Sequence, residues 1–230
     1  LYTNVDGTAN TAVGYGALYT MDPSGAAATY NVAMGYNAGY AVSTGLNNVL
    51  IGSLAGDAIN TGSQNTALGY GSLSAATSNG ASTAIGYIAA ANNTAANITA
   101  VGSHCMASHV GGSGNSAFGH AALYSCAEND RNTAIGYASL YSYVEAGATS
   151  EGDNTAVGYN AGNGISVGHS NTAVGSYSLD AASGTGDYNT ALGSNAMTSN
   201  TSGTENTALG YRTLNTNTTG THNVAVGSNA

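Results

Sequence analysis

The chain has no tryptophan and no lysine, one proline, one phenylalanine and two cysteines, and only 6% of its residues are charged. Each shortage removes a class of protein. An ordinary globular surface carries about 25% charged residues. Disordered chains are charge-rich and apolar-poor, whereas 42% of this one is apolar. With Arg131 and Arg212 as the only strong cations and a formal net charge of −9, nothing is available to neutralise phosphates. No nucleic acid partner is expected, and no anionic membrane surface. No apolar run approaches the ~20 residues of a membrane span, so no membrane insertion is expected either. One proline among 34 glycines, without glycine at every third position, excludes collagen. Two cysteines do not make a disulfide scaffold. No N-terminal basic and apolar segment resembles a signal peptide, and a start at Leu1 suggests a processed chain or a piece of something longer.

What is present is a repeat. The unit Asn-Thr-Ala-aliphatic-Gly-Tyr/Ser-x-Ala/Ser-Leu recurs thirteen times, centred on Gly14, Gly35, Gly52, Gly69, Gly86, Gly102, Gly119, Gly136, Gly158, Gly175, Gly193, Gly210 and Gly227. The period is 17 residues, and two longer gaps, of 21 and 22, read as loop insertions. The residue before each glycine is always apolar, the one before that is almost always Ala, and Thr usually precedes Ala. Thr and the aliphatic residue at i and i+2 share one strand face, with Ala and Asn on the other. The large aliphatic column suggests that its face, Thr included, points inward. The alanine column suggests a surface approached closely by a neighbour. The glycine suits a turn with positive φ. A second apolar column follows four residues later, at Leu18, Leu73, Met106, Leu123, Leu140, Leu179, Met197 and Leu214.

A helix is excluded because apolar residues do not recur at three and four and because Gly, Asn and Thr dominate. The fold expected is all-β: a parallel β-solenoid (β-roll) of about thirteen coils, uncapped, forming a single continuous repeat domain over residues 1–230. Coils that cannot bury their apolar residues alone do so by stacking. At roughly 4.8 Å per rung, thirteen coils extend roughly 60 Å.

The asparagine that opens the motif recurs at Asn10, Asn31, Asn48, Asn65, Asn115, Asn132, Asn154, Asn171, Asn189, Asn206 and Asn223, where stacked amides can form a ladder. Tyrosine follows the glycine in seven coils, which suggests a partial tyrosine stack or, alternatively, an aromatic face for carbohydrate. The two ends fit each other. Joined, Ser228-Asn229-Ala230 and Leu1-Tyr2-Thr3 complete one motif, and Gly227 would precede the next Gly14 by the standard period. Leu1, Tyr2, Asn229 and Ala230 are therefore the expected head-to-tail junction with further copies. A head-to-tail contact that does not close makes a filament.

The motif Asn132 to Leu140 and the Asn-Thr-Thr-Gly link at Asn217 resemble repeat arrays of phage and bacterial tail-fibre-like proteins. More distantly, the Ala-(Ile/Val)-Gly units are similar to the head β-roll of trimeric autotransporter adhesins. The resemblance implies an extracellular or cell- or virion-surface fibre, with copies side by side as a trimer. The chain lacks the self-cleaving chaperone domain that often ends tail fibres, and its period is longer than that of the adhesin heads.

No catalytic constellation is present, so no enzyme activity and no cofactor are expected. His104, Cys105 and His109 are too few and too closely spaced for the four-ligand pattern of structural zinc. Cys105 and Cys126 fall on neighbouring coils, three and seven residues past their glycines, and are a candidate disulfide. Glu128, Asp130, Glu145, Glu151 and Asp153 cluster in loops and read as a solvated edge; the nonapeptide of calcium β-rolls is absent. Asn92, Asn97, Asn200 and Asn217 stand in glycosylation sequons. The leading functional expectation is a structural subunit of an extracellular fibre that stacks end to end. The alternative is an adhesin or phage-fibre shaft that binds a host receptor or glycan through the inserted loops Met21 to Tyr30 and Val144 to Asp153. Ice binding by a flat threonine column ranks below both, because that column is expected to face inward.

Overall fold

The computed structural model describes residues 7–23, 27–126, 130–142, 152–181 and 184–230. Among them there is no helix, and so none long and apolar enough to cross a membrane. The chain divides into two compact units, Leu1–Val110 and Gly111–Ala230. Each is a parallel β-solenoid built from the 17-residue coil.

The first unit carries the three-residue strands Thr11–Val13, Val32–Met34, Val49–Ile51, Thr66–Leu68, Thr83–Ile85 and Thr99–Val101. Its coils pair in parallel and in motif register: Thr11 lies opposite Val32, and Val13 opposite Met34. The second unit carries Ser116–Phe118, Thr133–Ile135, Thr155–Val157, Thr172–Val174, Thr190–Leu192, Thr207–Leu209 and Val224–Val226. The longer sequence gaps leave the register intact. Thr133 pairs with Thr155 across the 22-residue gap, as Thr11 does with Val32 across the 21-residue one. Ala27–Ala28, within the 21-residue gap, forms an additional parallel pair with Gly7–Thr8, which precedes the first motif strand.

The strands alternate as expected, but the face that points inward is the opposite one. Ala33, Ala67, Ala84, Ala134 and Ala173 are fully buried, whereas Val13, Met34, Leu68, Phe118 and Ile135 are exposed. Threonine shares the outward face. The physical reason lies in the turn. Past the glycine, the side chains three, four and seven residues on also point into the coil: Ala17, Leu18 and Met21 in one coil, Ala122, Leu123 and Cys126 in another. A short coil encloses little volume. Once the turn supplies leucine or methionine to the interior, the strand opposite has room for alanine, and the bulky branched residues go outside.

Leu50 tests this account, since it is the one large residue in the alanine column and is fully buried. Its neighbours compensate. Gly39 and Gly56 stand where other coils have Leu, and a Cβ on either would lie 2.7–2.8 Å from a Leu50 methyl. The volume lost in the turn column is filled from the strand column.

The turn has a regular backbone irregularity. Residues two and four past the strand glycine adopt positive φ, including Asn37 at 53°, Leu54 at 59°, Leu18 at 46° and Leu73 at 51°. Leucine is rarely found there, and each such residue costs on the order of 1 kcal/mol or more. The stacking offsets that cost by satisfying the backbone. Leu18 N–H donates to the Ala38 carbonyl at 3.1 Å, and Leu54 N–H donates to the Tyr36 carbonyl at 2.9 Å. The strand glycine is fixed twice over. Gly52 has φ of +131°, and a Cβ there would lie 2.5 Å from the Gly69 carbonyl oxygen.

Candidate functional site: the stacked columns

The asparagine column is the most completely bonded feature of the coil. In the first unit, the Asn31 side-chain oxygen accepts from Asn48 N–H at 2.9 Å and from Asn48 Nδ2 at 3.0 Å. Asn48 Nδ2 also donates to the Gly62 carbonyl of its own coil at 2.9 Å. Asn65 repeats the pattern on Asn48. Ser82 then replaces asparagine, and its Oγ accepts from Ile98 N–H at a longer 3.5 Å. In the second unit the column runs through Asn115, Asn132, Asn154, Asn171, Asn189, Asn206 and Asn223, each main-chain N–H donating to the previous side-chain oxygen at 2.8–3.1 Å. Every member from Asn115 to Asn206 is buried. Each amide therefore ties two coils together and pins the corner of one of them.

The tyrosines after the glycine form short stacks. Tyr15 and Tyr36 lie 5.6 Å apart with rings 11° from parallel, and Tyr70 and Tyr87 lie 5.5 Å apart at 15°. In the second unit, His120, Tyr137 and Tyr159 continue at 5.1 and 5.2 Å. Tyr19 with Tyr40, and Tyr124 with Tyr141, form parallel pairs four residues further on. Within each short stack the inner ring faces are covered by a neighbouring ring, while a terminal ring such as Tyr15, 77% exposed, has a ring on one side only.

The remaining candidate residues disperse. Cys105 and Cys126 are buried thiols, not a disulfide. Cys105 occupies the inward column of Ala and Ser three past the glycine, in place of a small core residue, and Cys126 the inward column seven past it, whose members reach the size of Met21 and His109. Burial pushes the Cys105 thiol up to about 12. His109 is buried, its Nδ1 2.9 Å from the Asn93 side-chain oxygen. His104 sits on the surface turn, its ring tilted against Tyr87. Among the described residues no three His, Cys, Asp or Glu side chains gather as a metal site.

Arg131 holds Asp153 through two bonds of 2.7 and 2.9 Å, which keeps that carboxyl below its ordinary range. Asp130 accepts from Ser113 N–H at 2.6 Å. Glu128, Glu145, Glu151, Leu1 and Tyr2 lie outside the described residues, as do parts of the two inserted loops. Of the sequon asparagines, Asn92 and Asn97 are exposed. Asn200 is not a glycan site in the folded chain. It is 3% exposed, its Nδ2 donates to the Gly203 carbonyl, and its oxygen accepts from Gly203 N–H. Asn217 makes the same two bonds to Gly220 but is half-exposed.

The sequence pattern concealed three features. The column seven past the glycine varies among Met21, Val42, Ile59, Asn93, His109 and Cys126, so no common residue type marks it as core. The positive φ at leucine has no composition signal. The outward direction of the aliphatic column follows only from the crowding inside.

Compared with known proteins, the chain matches no family model, no curated protein and no solved structure.

Proposed function

We propose that this chain is a shaft segment of an extracellular or surface fibre, continued end to end by further copies of itself. The observation that carries the reading is the state of the ladder at its two outermost rungs. Asn10 Nδ2 is buried without a hydrogen-bond partner, in a column where the amides of Asn48, Asn65, Asn132, Asn189, Asn206 and Asn223 donate to the preceding asparagine oxygen. At the far end Asn223 is exposed and donates backward to Asn206, as the last asparagine of the column. A donor that lacks an acceptor and an acceptor that lacks a donor, in one repeated geometry, are complementary.

Two further features support it. Asn229 and Ala230 keep the coil register, Asn229 N–H on the Tyr211 carbonyl and the Ala230 carbonyl accepting from Leu214 N–H. Open parallel edges also invite pairing. The proposed role is mechanical. Along each column the coils share backbone and amide bonds, so load is resisted by many bonds in parallel. The resemblance of the motif to tail-fibre and adhesin-head arrays agrees with a surface fibre.

Electron microscopy of the purified chain tests this. Filaments with an axial repeat near one chain length are expected. Val224→Pro removes the outward N–H of the last strand while leaving its bonds to the preceding coil, and proline is tolerated at a sheet edge. That variant is expected to stay folded and remain short. Wild-type chains that stay dispersed at high concentration would overturn the reading.

A second reading has its own observation. Both insertions leave the register of the flanking strands intact, which makes them additions to the repeat that a host receptor or glycan could contact. Cutting Met21 to Tyr30 and Val144 to Asp153 back to the 17-residue length separates shaft from receptor function in a cell-binding assay.

A further inference from the structure

Five consecutive strands of the second unit carry one pattern. Thr133–Ile135, Thr155–Val157, Thr172–Val174, Thr190–Leu192 and Thr207–Leu209 pair in parallel, threonine beside threonine and aliphatic beside aliphatic. The alanine of each is buried, and the residues on either side of it face outward, half-exposed or exposed. The spacing is uniform. From Thr133 to Thr207 each threonine N–H donates to an asparagine carbonyl of the next coil at 2.8 Å. From Gly158 to Gly210 each strand glycine N–H donates to the aliphatic carbonyl of the coil before, also at 2.8 Å.

The threonine hydroxyls of this face are not engaged. Among the described residues none of the five makes a hydrogen bond to another protein group. Threonines outside the strands differ: the hydroxyls of Thr185, Thr198, Thr201 and Thr213 each donate to a main-chain carbonyl. A hydroxyl has one donor and two acceptor sites to offer, and here all of them are left to the surroundings.

We infer that this face binds ice, the hydrogen-bonded lattice of the solvent itself. An inward threonine column, as the sequence suggests, would exclude this; the column faces outward. Spacing is the first argument. Tetrahedral hydrogen bonds of ~2.75 Å place second-neighbour oxygens about 4.5 Å apart, and the rungs repeat every ~4.8 Å. Over the four steps of this face the mismatch grows to only about 1.2 Å, less than half a hydrogen-bond length.

Stiffness is the second. Eight of the ten outward side chains are threonine, valine or isoleucine, whose branched Cβ restricts χ1. The asparagine before each threonine is buried and bonded to the neighbouring coil, as at Asn171, Asn189 and Asn206. An array already held in place loses little conformational freedom when it meets a rigid surface.

Chemistry is the third. Neither column in these five strands holds Asp, Glu, Arg or His, so a mineral face or a polyelectrolyte finds no counter-charge. Neither holds an aromatic ring on which a sugar could stack. A dry protein surface would bury five hydroxyls without partners, which is costly. An ice surface offers donors and acceptors to the hydroxyls, and lattice voids to the methyl groups.

This inference uses a strand face and the fibre reading uses the ends of the ladder, so the two fail separately. The test is thermal hysteresis of the full chain, with tyrosine absorbance of the ice and liquid fractions after slow freezing. The wild type is expected to open a gap between melting and freezing points and to enter the ice fraction. Thr172→Lys with Thr190→Lys leaves no more than two adjacent native rungs and is expected to lower the hysteresis at least about tenfold. Thr172→Gln with Thr190→Gln projects from the same rungs without added charge, guards against misfolding, and should fall in the same direction. Thr216→Lys with Thr219→Lys, exposed outside the strands, controls for charge and should keep wild-type activity. Circular dichroism should match the wild type in all three. Strand variants that fold and retain hysteresis overturn the inference. So does a wild type that is excluded from ice, including one whose face instead captures a crystalline polysaccharide or a second chain.

Discussion

Asn171→Ala is the most informative single substitution in the ladder. The Asn171 side-chain oxygen accepts from Asn189 N–H at 2.9 Å and from Asn189 Nδ2 at 3.2 Å. Its Nδ2 donates to the Gly186 carbonyl at 2.9 Å. Truncation to alanine leaves the Asn189 N–H and the Gly186 carbonyl without these partners, in a site where Asn171 is fully buried. Each of the two orphaned buried groups costs roughly 1–3 kcal/mol, so the loss should be about 2–6 kcal/mol before any cavity cost. Serine is an internal reference. At Ser82 the chain tolerates that residue in the column, with a hydroxyl that still accepts from Ile98 N–H. Asn171→Ser should therefore cost less than Asn171→Ala, and exposed Thr216→Ala should stay within about 0.5 kcal/mol. Urea unfolding ranks the three. Because repeat arrays can unfold in parts, hydrogen exchange at the Asn189 amide supplies the local readout and should rise selectively in the alanine variant. An alanine variant no less stable than Thr216→Ala, with Asn189 still protected, would refute the view that the amides hold the coils together.

Leu50→Ala should cost about 2–5 kcal/mol as a core cavity, and Gly39→Ala alone should destabilise by collision with the Leu50 methyl. The double variant should be more stable than the sum of the two losses predicts, a coupling that a double-mutant cycle in urea measures. Asp180 is half-buried, and desolvation raises its carboxyl to about 6 from an ordinary 3.8. Between those values the folded chain binds the extra proton, so stability should fall as pH rises through this window and level off above it. Asp180→Asn should accordingly raise the unfolding free energy measured in urea at pH 7 by on the order of 1 kcal/mol once solvent screening is allowed for, with the gain disappearing near pH 4. Cys105, buried and with its thiol held up to about 12, should resist a thiol reagent in the native chain and react after denaturation.

Corrections to the sequence-based picture cluster where burial has to be assigned. Cys105 and Cys126 share neighbouring coils in the repeat, but one belongs to the column three past the glycine and the other to the column seven past it. Asn200 satisfies the sequon rule, and its amide is consumed by Gly203 within the same turn. Thr11, Thr190 and Thr207 were expected inside on account of their aliphatic neighbours and are exposed. That reversal restores the threonine face as a surface with a function to be tested, since a column turned outward can meet another molecule.

The period, the parallel stacking in register, the glycine column and the shared face of threonine and aliphatic residue were all determined by the sequence alone. They depend on repetition, and like residues at equal spacing can satisfy one another only by lying above each other. Which face of each strand points inward was decided only by the tertiary structure. Alternation defines two faces without a sign. The sign is set by the volume that Leu18, Met21 and their equivalents already occupy inside a coil too narrow for a second bulky column.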